Sequence, residues 1–372
     1  MLAAQRFTAL DVFRGMTICF MIIVNTPGNG NTTFAPLHHA QWHGFTPTDL
    51  VFPSFLFAVG NAISFVMPRW NNLPPGQVVW KILKRTFIIF LLGYLMYWFP
   101  FVKQVAGEMV FAPFRDTRVF GVLQRIALCY GIAALLLYFA KPKLTIIISI
   151  ALMLLYWVIL LLYGQGDPFS MEGNAGILLD KYLLGDAHLY HGEGIAFDPE
   201  GLLGTLPAIG NVVGGFVVGS FIQKHGKTYE TLTKLLLAGV GLLFIAWCWN
   251  HFLPVNKKLW TGSFVTLTVG LDCIIISAII YIIDFLHKTK WTYFFEVFGR
   301  NPLFIYLLSE LGATLLYVFS VQPKVSVYKW LYDNIYVHAG PYFGSFLFAI
   351  SVVLVCWLVG YFMDKKKLYV RV

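Results

Sequence analysis

Apolar residues are grouped along the chain in long blocks separated by short polar segments. Ten such blocks, bounded by proline, glycine or charged residues, approach the length of about 20 residues that a helix needs to cross a membrane. The pattern predicts an all-α, polytopic membrane helix bundle of about ten transmembrane helices, formed as one domain over residues 1–372. The blocks run near 8–25, 49–67, 79–99, 119–139, 144–163, 201–222, 231–253, 262–286, 298–320 and 341–363.

Composition and charge agree with a membrane protein and favour one orientation. The chain is 58% hydrophobic and 12% charged, with a mean hydropathy of +0.71. With the N-terminus inside, the cytoplasmic loops hold about twice as many lysines and arginines as the outer loops, so we expect both termini in the cytoplasm. The net charge of +9 mostly reflects this bias. The run Lys365–Lys367 therefore predicts contact with anionic membrane lipid rather than nucleic acid.

Two further patterns bear on packing. Span six contains the repeats Gly210-x-x-x-Gly214 and Gly215-x-x-x-Gly219, which allow a homodimer but favour close contacts within the bundle. The cysteines lie inside predicted spans without the spacing of metal ligands, so we interpret them as packing residues, with no disulfide and no metal site. They are Cys19, Cys129, Cys248, Cys273 and Cys356.

A polar run just outside the first apolar block, from His39 to Asp49, is the strongest chemical signal. A histidine exchanges a proton near neutral pH, and the carboxylate of Asp49 could hold its ring in one tautomer. Three other readings are open. His38, His39 and His43 could bind a metal, although no nearby carboxylate completes a ligand set; Asp49 could cap the next helix; and Trp42 could anchor the chain at the membrane interface.

The longest loop, residues 164–200, is strongly acidic and lies outside in this orientation. It contains seven acidic residues and one lysine, Lys181. Such a loop would attract cations, including an amino sugar. Equally, any exported loop is depleted in lysine, and the acidity could mean no more than that.

Five charged residues fall within or at the edges of predicted spans. Arg14 and Arg300 lie towards the cytoplasmic side, Arg125 towards the outer side, and Asp272 and Glu310 near mid-depth. Each could form an internal ion pair that fixes the bundle. Because charges inside a membrane are costly, the group as a whole indicates a polar passage between the two faces.

Several motifs, in order along most of the chain, resemble the transmembrane acetyltransferases typified by heparan-alpha-glucosaminide N-acetyltransferase and their bacterial relatives. Most lie at the ends of predicted helices, and the number in the right order makes the resemblance specific. They are Leu10–Gly15, Val24-Asn25, His39–Pro53, Phe57-x-x-Gly60, Gly121–Arg125, Asp198–Gly201, Pro254–Trp260 and Gly299–Pro302.

The resemblance implies transfer of an acetyl group from cytoplasmic acetyl-CoA to the amine of glucosamine or a related amino sugar on the outer side. Only five residues precede Arg6, so we expect neither the N-terminal luminal region nor the additional span of the lysosomal enzyme. The short members are bacterial, which implies a multi-pass protein of the bacterial cytoplasmic membrane. An amino sugar from cell-wall or glycan turnover is then a more plausible acceptor than heparan sulfate.

The family's catalytic asparagine and histidine correspond to Asn25 and His39. Neutral His39 would take the proton of the attacking amine, and Asn25 would donate its amide to the oxyanion. Asp49 would orient His39 and raise its pKa above the ordinary value of about 6.5. A transient acetyl-histidine is the alternative to direct transfer, and Asn25 could instead be only a helix cap.

The remaining site predictions concern the donor and the acceptor. Guanidinium groups suit phosphates, so Arg14 and Arg300 are predicted to bind coenzyme A, with Arg125 at the inner end of its tunnel or holding a carboxylate. No glycine-rich phosphate loop is present, so nucleotide hydrolysis is not expected. The predicted acceptor-binding residues are Asp198, Glu200, Trp42, Asn256 and Lys257.

Two functions from other classes fit the hydropathy. A transporter of an amino sugar or of N-acetylglucosamine would use Asp272 and Glu310 for proton coupling, but the internal repeats typical of such proteins are not visible. A structural membrane protein would leave the polar run at His39 unexplained.

Overall fold

The computed structural model describes residues 7–105 and 108–370, and most of them are helical. The helices are α1 Thr8–Asn25, α2 Val51–Trp70, α3 Pro75–Trp98, α4 Val122–Phe139, α5 Pro142–Tyr163, α6 Ala175–Leu184, α7 Thr205–His225, α8 Tyr229–Trp249, α9 Gly262–Ile280, α10 Thr292–Arg300, α11 Pro302–Val318, α12 Val327–Leu331 and α13 Pro341–Lys365. Two short antiparallel hairpins join β1 Val102–Val105 to β2 Glu108–Phe111, and β3 Ser320–Gln322 to β4 Val325–Ser326.

The all-α polytopic membrane fold is confirmed, with fewer uninterrupted spans than the sequence predicted. Within the described residues, eight helices are long and apolar enough to cross a membrane: α1, α2, α4, α5, α7, α8, α9 and α13. The predicted span 79–99 corresponds to α3, which has the length but carries Lys81, Lys84 and Arg85 in its first half.

The predicted span 298–320 is broken. α10 and α11 meet at an angle of 85°, and they make a ninth span only if the bent pair is counted as one. Pro302 lacks the N–H that would continue the helix, and a residue before proline is disfavoured in the helical region. Asn301 accordingly leaves the helical region, with φ −131° and ψ 50°.

The centre of the bundle is the packing of α2 against α7. In the apolar windows of these two helices 67% and 72% of residues are buried, against 28% in α5, α8 and α13, which lie on the outside. A side chain at Gly215 would collide with the backbone of Phe57, and one at Gly60 with the backbone of Val212. The predicted close approach at the glycine repeats is therefore confirmed within the bundle. A homodimer stays a prediction.

The five cysteines are all free, and four are buried among the helices. Cys248 differs, because it is exposed on α8. The packing interpretation was wrong for this residue, since a uniformly apolar helix gives no indication of which face points outwards.

The two ends of the bundle differ in what they carry. At one end, which we call the terminal end, α1 begins and α13 finishes. The end of α10 connects these two helices, because Arg300 contacts Asp364 on α13 and Gly299 packs against Asp11 on α1. At the other, the histidine end, lie His39 and the long loop between α5 and α7. Which end faces the cytoplasm stays a prediction.

Candidate active site

The loop between α1 and α2 positions Asp49 at the entrance to the bundle. The loop ends in a short 3-10 turn, Pro47–Leu50, that runs directly into α2. Thr46 begins this turn, and its backbone N–H and hydroxyl both donate to Asp49 Oδ2, at 2.9 and 3.0 Å. This reciprocal cap satisfies the start of the turn and leaves Asp49 only 1% exposed.

His39 and Asp49 form a close pair. His39 Nδ1 lies 2.6 Å from Asp49 Oδ1, while the other carboxylate oxygen accepts the backbone N–H of Ala40 at 3.1 Å. An ionised carboxylate only accepts, so Nδ1 carries the proton and the lone pair of neutral His39 is on Nε2. Nε2 has no hydrogen bond to a described residue, and the His39 side chain is 42% exposed. Asp49 thus both orients the ring and caps α2.

The pKa of His39 departs from the prediction. Burial disfavours the charged ring, and Lys257 repels it; together these effects outweigh the hydrogen bond and the negative charge of Asp49. The pKa therefore lies below the ordinary value of 6.5. Asp49 does raise the pKa, as expected, but the expected net rise was wrong, because burial of the ring, the largest effect, and Lys257, which is distant in sequence, outweigh Asp49. His39 is accordingly neutral, and so competent as a base, at neutral pH.

Asn25, the last residue of α1, is held from the opposite side of the bundle. Its side-chain amide donates to Glu310 Oε1 on α11 at 2.8 Å. This contact joins two helices rather than closing the end of α1, so the interpretation of Asn25 as only a helix cap is not supported. A carboxamide has two N–H groups, and only one is used here.

Arg118 organises the polar groups beside these residues. Its guanidinium makes a bidentate contact with Asp198, at 2.8 and 2.7 Å, and donates to Glu200 at 2.7 Å. It also lies between the rings of Tyr97 and Tyr190, 4.8 and 4.7 Å from their centroids. Bidentate, charge-assisted contacts of this kind fix both partners in place.

These groups lie near enough to influence one another electrostatically, and they form one polar cluster at the histidine end. Glu200 acts on His39, and Glu200, Glu310 and Arg118 all act on the hydroxyl of Tyr97. The cluster comprises His39, Asp49, Asn25, Glu310, Tyr97, Arg118, Glu200 and Lys257. Predicted residues from three distant parts of the sequence are thus brought together.

The predicted ammonium site at Asp198 and Glu200 differs from the expectation of an open acidic vestibule. Asp198 is 3% and Glu200 6% exposed, and Arg118 engages both carboxylates. Burial alone would raise the pKa of Glu200, but Lys257, Arg118 and Arg125 outweigh it and lower the pKa. Counting charges within the loop missed cations that come from elsewhere in the chain.

The other predicted acceptor residues, Trp42, Asn256 and Lys257, lie around His39 and have different partners. Trp42 donates its indole N–H to the carbonyl of Phe169 at 2.8 Å and so pins the loop to the region after α5. Asn256 is fully buried, with its amide nitrogen 3.3 Å from His43 Nδ1. Lys257 is half-buried and near enough to affect both His39 and Glu200.

The three histidines of the loop do not converge on one point. His38 Nε2 lies 3.0 Å from the carbonyl of Thr33, whereas His39 and His43 contact Asp49 and Asn256. Among the described residues, no three His, Cys, Asp or Glu side chains form a group suited to a metal ion.

Lys258 fastens three segments around His39. Its ammonium donates to the carbonyl of Gln41 at 2.9 Å and to Glu193 at 2.5 Å. The side chain is only 12% exposed. The loop before α9 is thereby tied both to the His39 loop and to the long loop before α7.

A narrow cavity of about 310 Å³ leads from the terminal end towards this cluster. It follows α2 from Trp70 to Phe55, which is about 22 Å at the rise of an α-helix, and ends about 10 Å of chain from Asp49. Its walls are largely apolar, with Arg14 and Arg85 as cationic residues. Arg14 also donates to the carbonyl of Gly299 at 3.2 Å.

The other two predicted arginines have internal partners. Arg300 contacts Glu296 at 2.8 Å and also Asp364. Arg125 is 1% exposed, donates to the carbonyls of Pro199 and Gly201 at 3.0 and 2.7 Å, and lies over the ring of Trp260. Arg125 therefore holds the segment that carries Asp198 and Glu200, and coenzyme A binding by Arg125 or Arg300 stays a prediction.

Comparison with known proteins bears directly on the motifs around His39. Residues 6–180 match the family model described as heparan-alpha-glucosaminide N-acetyltransferase, catalytic. The chain resembles this family. His39, Asp49, Asn25, Arg14, Arg85 and Arg118 all lie inside the matched part, whereas Glu200, Lys257 and Glu310 lie beyond it.

Two curated relatives extend the resemblance. The chain is 28% identical to the heparan-alpha-glucosaminide N-acetyltransferase of Homo sapiens over 82% of its length, and 28% identical to that of Mus musculus over 100%. It covers 53% and 61% of those proteins, so it spans little more than half of their length. The resemblance predicted from the motifs is confirmed, as is a multi-pass membrane protein.

Three contributors to the site were missed from the sequence. In the sequence, Arg118 and Arg85 have the pattern of charges near loops, and Tyr97 lies within an apolar block, although all three line or contact the site in the structure. The position of Arg85 was indicated locally, because it lies on the face of α3 that packs towards Tyr130. The centre of its guanidinium is 4.7 Å from the centroid of the Tyr130 ring. For Arg118 the partners are about 80 residues away, and no local pattern marks them.

Proposed function

We propose that the protein is an acetyl-CoA-dependent N-acetyltransferase that acetylates the amine of glucosamine or a related amino sugar. The observation that carries the proposal is the pair of His39 and Asp49, with no described residue bonded to Nε2, near the end of a cavity that begins at two arginines. The names of the similar proteins support the reaction class.

In the proposed reaction, the neutral amine nitrogen attacks the thioester carbonyl and a C–N bond forms. His39 Nε2 takes the proton that the nitrogen loses, and Asp49 stabilises the resulting imidazolium. The second N–H of Asn25 donates to the oxyanion, while Glu310 holds the first. The C–S bond then breaks and the thiolate receives the proton from His39. If an acetylated His39 were trapped experimentally, the reaction would instead proceed in two steps, through a transient acetyl-histidine.

The donor would enter through the cavity. Arg14 and Arg85 suit the phosphates of coenzyme A, and the apolar walls suit its pantetheine arm. The pantetheine arm, fully extended, must span the distance from the two arginines to the polar cluster. The length of the cavity along α2 is of the same order as the length of this arm.

The acceptor would meet a mixed electrostatic field beside His39. The charge of Lys257 opposes an ammonium group and so favours the neutral, nucleophilic form of the amine, while Glu200 offers a compensating negative charge. Sugar hydroxyls would find donors and acceptors in the loop before α7. Asn256 and Trp42, whose polar groups already have partners, would support the acceptor site by holding His43 and the His39 loop in place.

The proposed function also requires an orientation of the bundle in the membrane. The excess of lysine and arginine in the loops of the terminal end favours that end as cytoplasmic, which places the donor inside and the amine outside. In a bacterial cell this would be the cytoplasmic membrane.

The test is acetylation of glucosamine by purified protein in detergent with labelled acetyl-CoA. We expect the wild type to form N-acetylglucosamine and His39→Ala to lose about 10²–10⁴-fold in kcat/KM with its thermal stability kept. His38→Ala, in the same loop, is the matched control and should retain most activity. A folded His39→Ala protein with normal turnover would remove His39 from the mechanism. A transporter would show no chemistry in detergent.

A further inference from the structure

A second opening lies at the terminal end, apart from the polar cluster and the cavity that holds Arg14. It has a volume of about 830 Å³ and is shallower and more open than that cavity. Phe7, Phe65, Arg69, Gln223, Lys227 and Asp284 line it, and we call it the interfacial groove. Arg69 is next to the end of α2, Lys227 follows the end of α7, and Asp284 is in the π-helical turn after α9. Because three spans end here, the groove lies at the level of the membrane surface.

The polar side of the groove carries two cations. Arg69 is exposed and has no hydrogen bond or ion pair with a described residue, and Lys227 is a third exposed, above the ring of Phe7. Arginine and lysine together at a membrane surface are suited to a phosphate. The opposite walls, formed by Phe65, Ile222 and Phe285, are apolar and suit acyl chains.

The groove also contains a partly exposed carboxylate, that of Asp284. Asp284 Oδ1 accepts from Lys227 at 2.5 Å, but Oδ2 is buried and has no hydrogen bond to a described residue. A ligand group can therefore reach this carboxylate only at Oδ1, where a second donor would share the negative charge with Lys227. A ligand with only negative charge would be repelled by this carboxylate.

We propose that the interfacial groove binds a phospholipid with a primary-ammonium headgroup, of the phosphoethanolamine type. The phosphate contacts Arg69 and Lys227, the ammonium donates to the Asp284 carboxylate at Oδ1, and the acyl chains lie against the aromatic wall. This lipid combines all three chemistries that the groove offers. The site is separate from the proposed acetyl transfer and does not depend on it.

The test is native mass spectrometry of the full chain in detergent, titrated with lipids of identical acyl chains. Phosphatidylethanolamine should bind about tenfold more tightly than phosphatidylcholine, whose quaternary ammonium cannot donate a hydrogen bond. Phosphatidylglycerol should also bind more weakly than phosphatidylethanolamine. Wild-type protein that binds phosphatidylcholine or phosphatidylglycerol as tightly as phosphatidylethanolamine would overturn the proposal without any variant.

Two variants separate the ammonium contact from the phosphate contact. Asp284→Asn should bring the ratio of phosphatidylethanolamine to phosphatidylcholine binding close to one, and Arg69→Gln should weaken both lipids by a similar factor. The matched controls at the same end are Glu230→Gln and Lys290→Gln, which should change neither. An unchanged ratio in Asp284→Asn would contradict the ammonium contact at Asp284. Full displacement of bound lipid by equimolar glycerophosphoethanolamine would contradict the acyl-chain contact with the aromatic wall.

Discussion

The histidine end and the Arg14 cavity achieve their geometry in different ways. At the histidine end, charged groups are paired across the chain, with Arg118 on Asp198 and Glu200 and with His39 on Asp49. The cavity is instead defined by apolar side chains and carries only Arg14 and Arg85 as cations. We infer that the first region is positioned by ion pairs and the second by packing, so that mutations in the two regions should fail differently.

The largest expected effect is on stability at the histidine end. Arg118→Gln removes the cation from two buried carboxylates and should destabilise the fold by about 3–5 kcal/mol, because each charge is then left uncompensated. A lower apparent Tm in detergent measures this. Arg115→Gln, whose side chain is 86% exposed, is the control and should stay close to wild type. An equal Tm for both variants would show that the ion pairs do not position this end.

The next effect is on catalysis without loss of the fold. Asn25→Ala should reduce kcat by about 10²–10³-fold, since the oxyanion loses a donor. Glu310→Gln keeps an acceptor for Asn25 and should lose less. Asn334→Ala, an exposed residue whose amide bonds only to its own helix, serves as control. Normal kcat in Asn25→Ala would leave the contact with Glu310 as a purely structural one.

Mutations in the cavity should weaken binding of the donor, acetyl-CoA. Arg14→Gln and Arg85→Gln should each raise the KM for acetyl-CoA by about tenfold, the loss of one charge-assisted contact, while kcat changes little. Lys84→Gln lies beside Arg85 on α3 but is exposed outside the cavity. A KM that rises equally in the Lys84 variant would mean that general surface charge, rather than the cavity, attracts the donor.

The smallest expected effects are shifts of the acidic limb of the pH profile of kcat/KM, in opposite directions for two variants. Neutral His39 is the active form, so the rate falls as the pH drops through its pKa, which lies below 6.5. Lys257→Met removes a charge that lowers this pKa and should move the limb to higher pH. Asp49→Asn removes groups that raise it and should move the limb to lower pH, with slower turnover because the tautomer is no longer fixed. Movement of both limbs in the same direction would exclude His39 as the titrating group.

The sequence revealed local relationships and missed distant ones. The pairing of His39 with Asp49 was predictable, because they lie ten positions apart in one loop and a helix start follows. The break at Asn301 and Pro302 also had a local signal, which the apolar pattern of 298–320 concealed. The contacts of Asn25 with Glu310 and of Arg118 with Glu200 join helices and loops whose adjacency depends on how the whole bundle packs. The net direction of the His39 pKa depends on the same packing, through burial of the ring and through Lys257.

The central claim is that the donor enters at one end of the bundle and the amine is acetylated at the other. Sealed membrane vesicles with the terminal end outwards test it most directly, with glucosamine trapped inside, a differently labelled amine outside, and acetyl-CoA added only outside. We expect the trapped glucosamine alone to be acetylated, and His39→Ala vesicles to form far less product. Equal acetylation of the amine outside would contradict it.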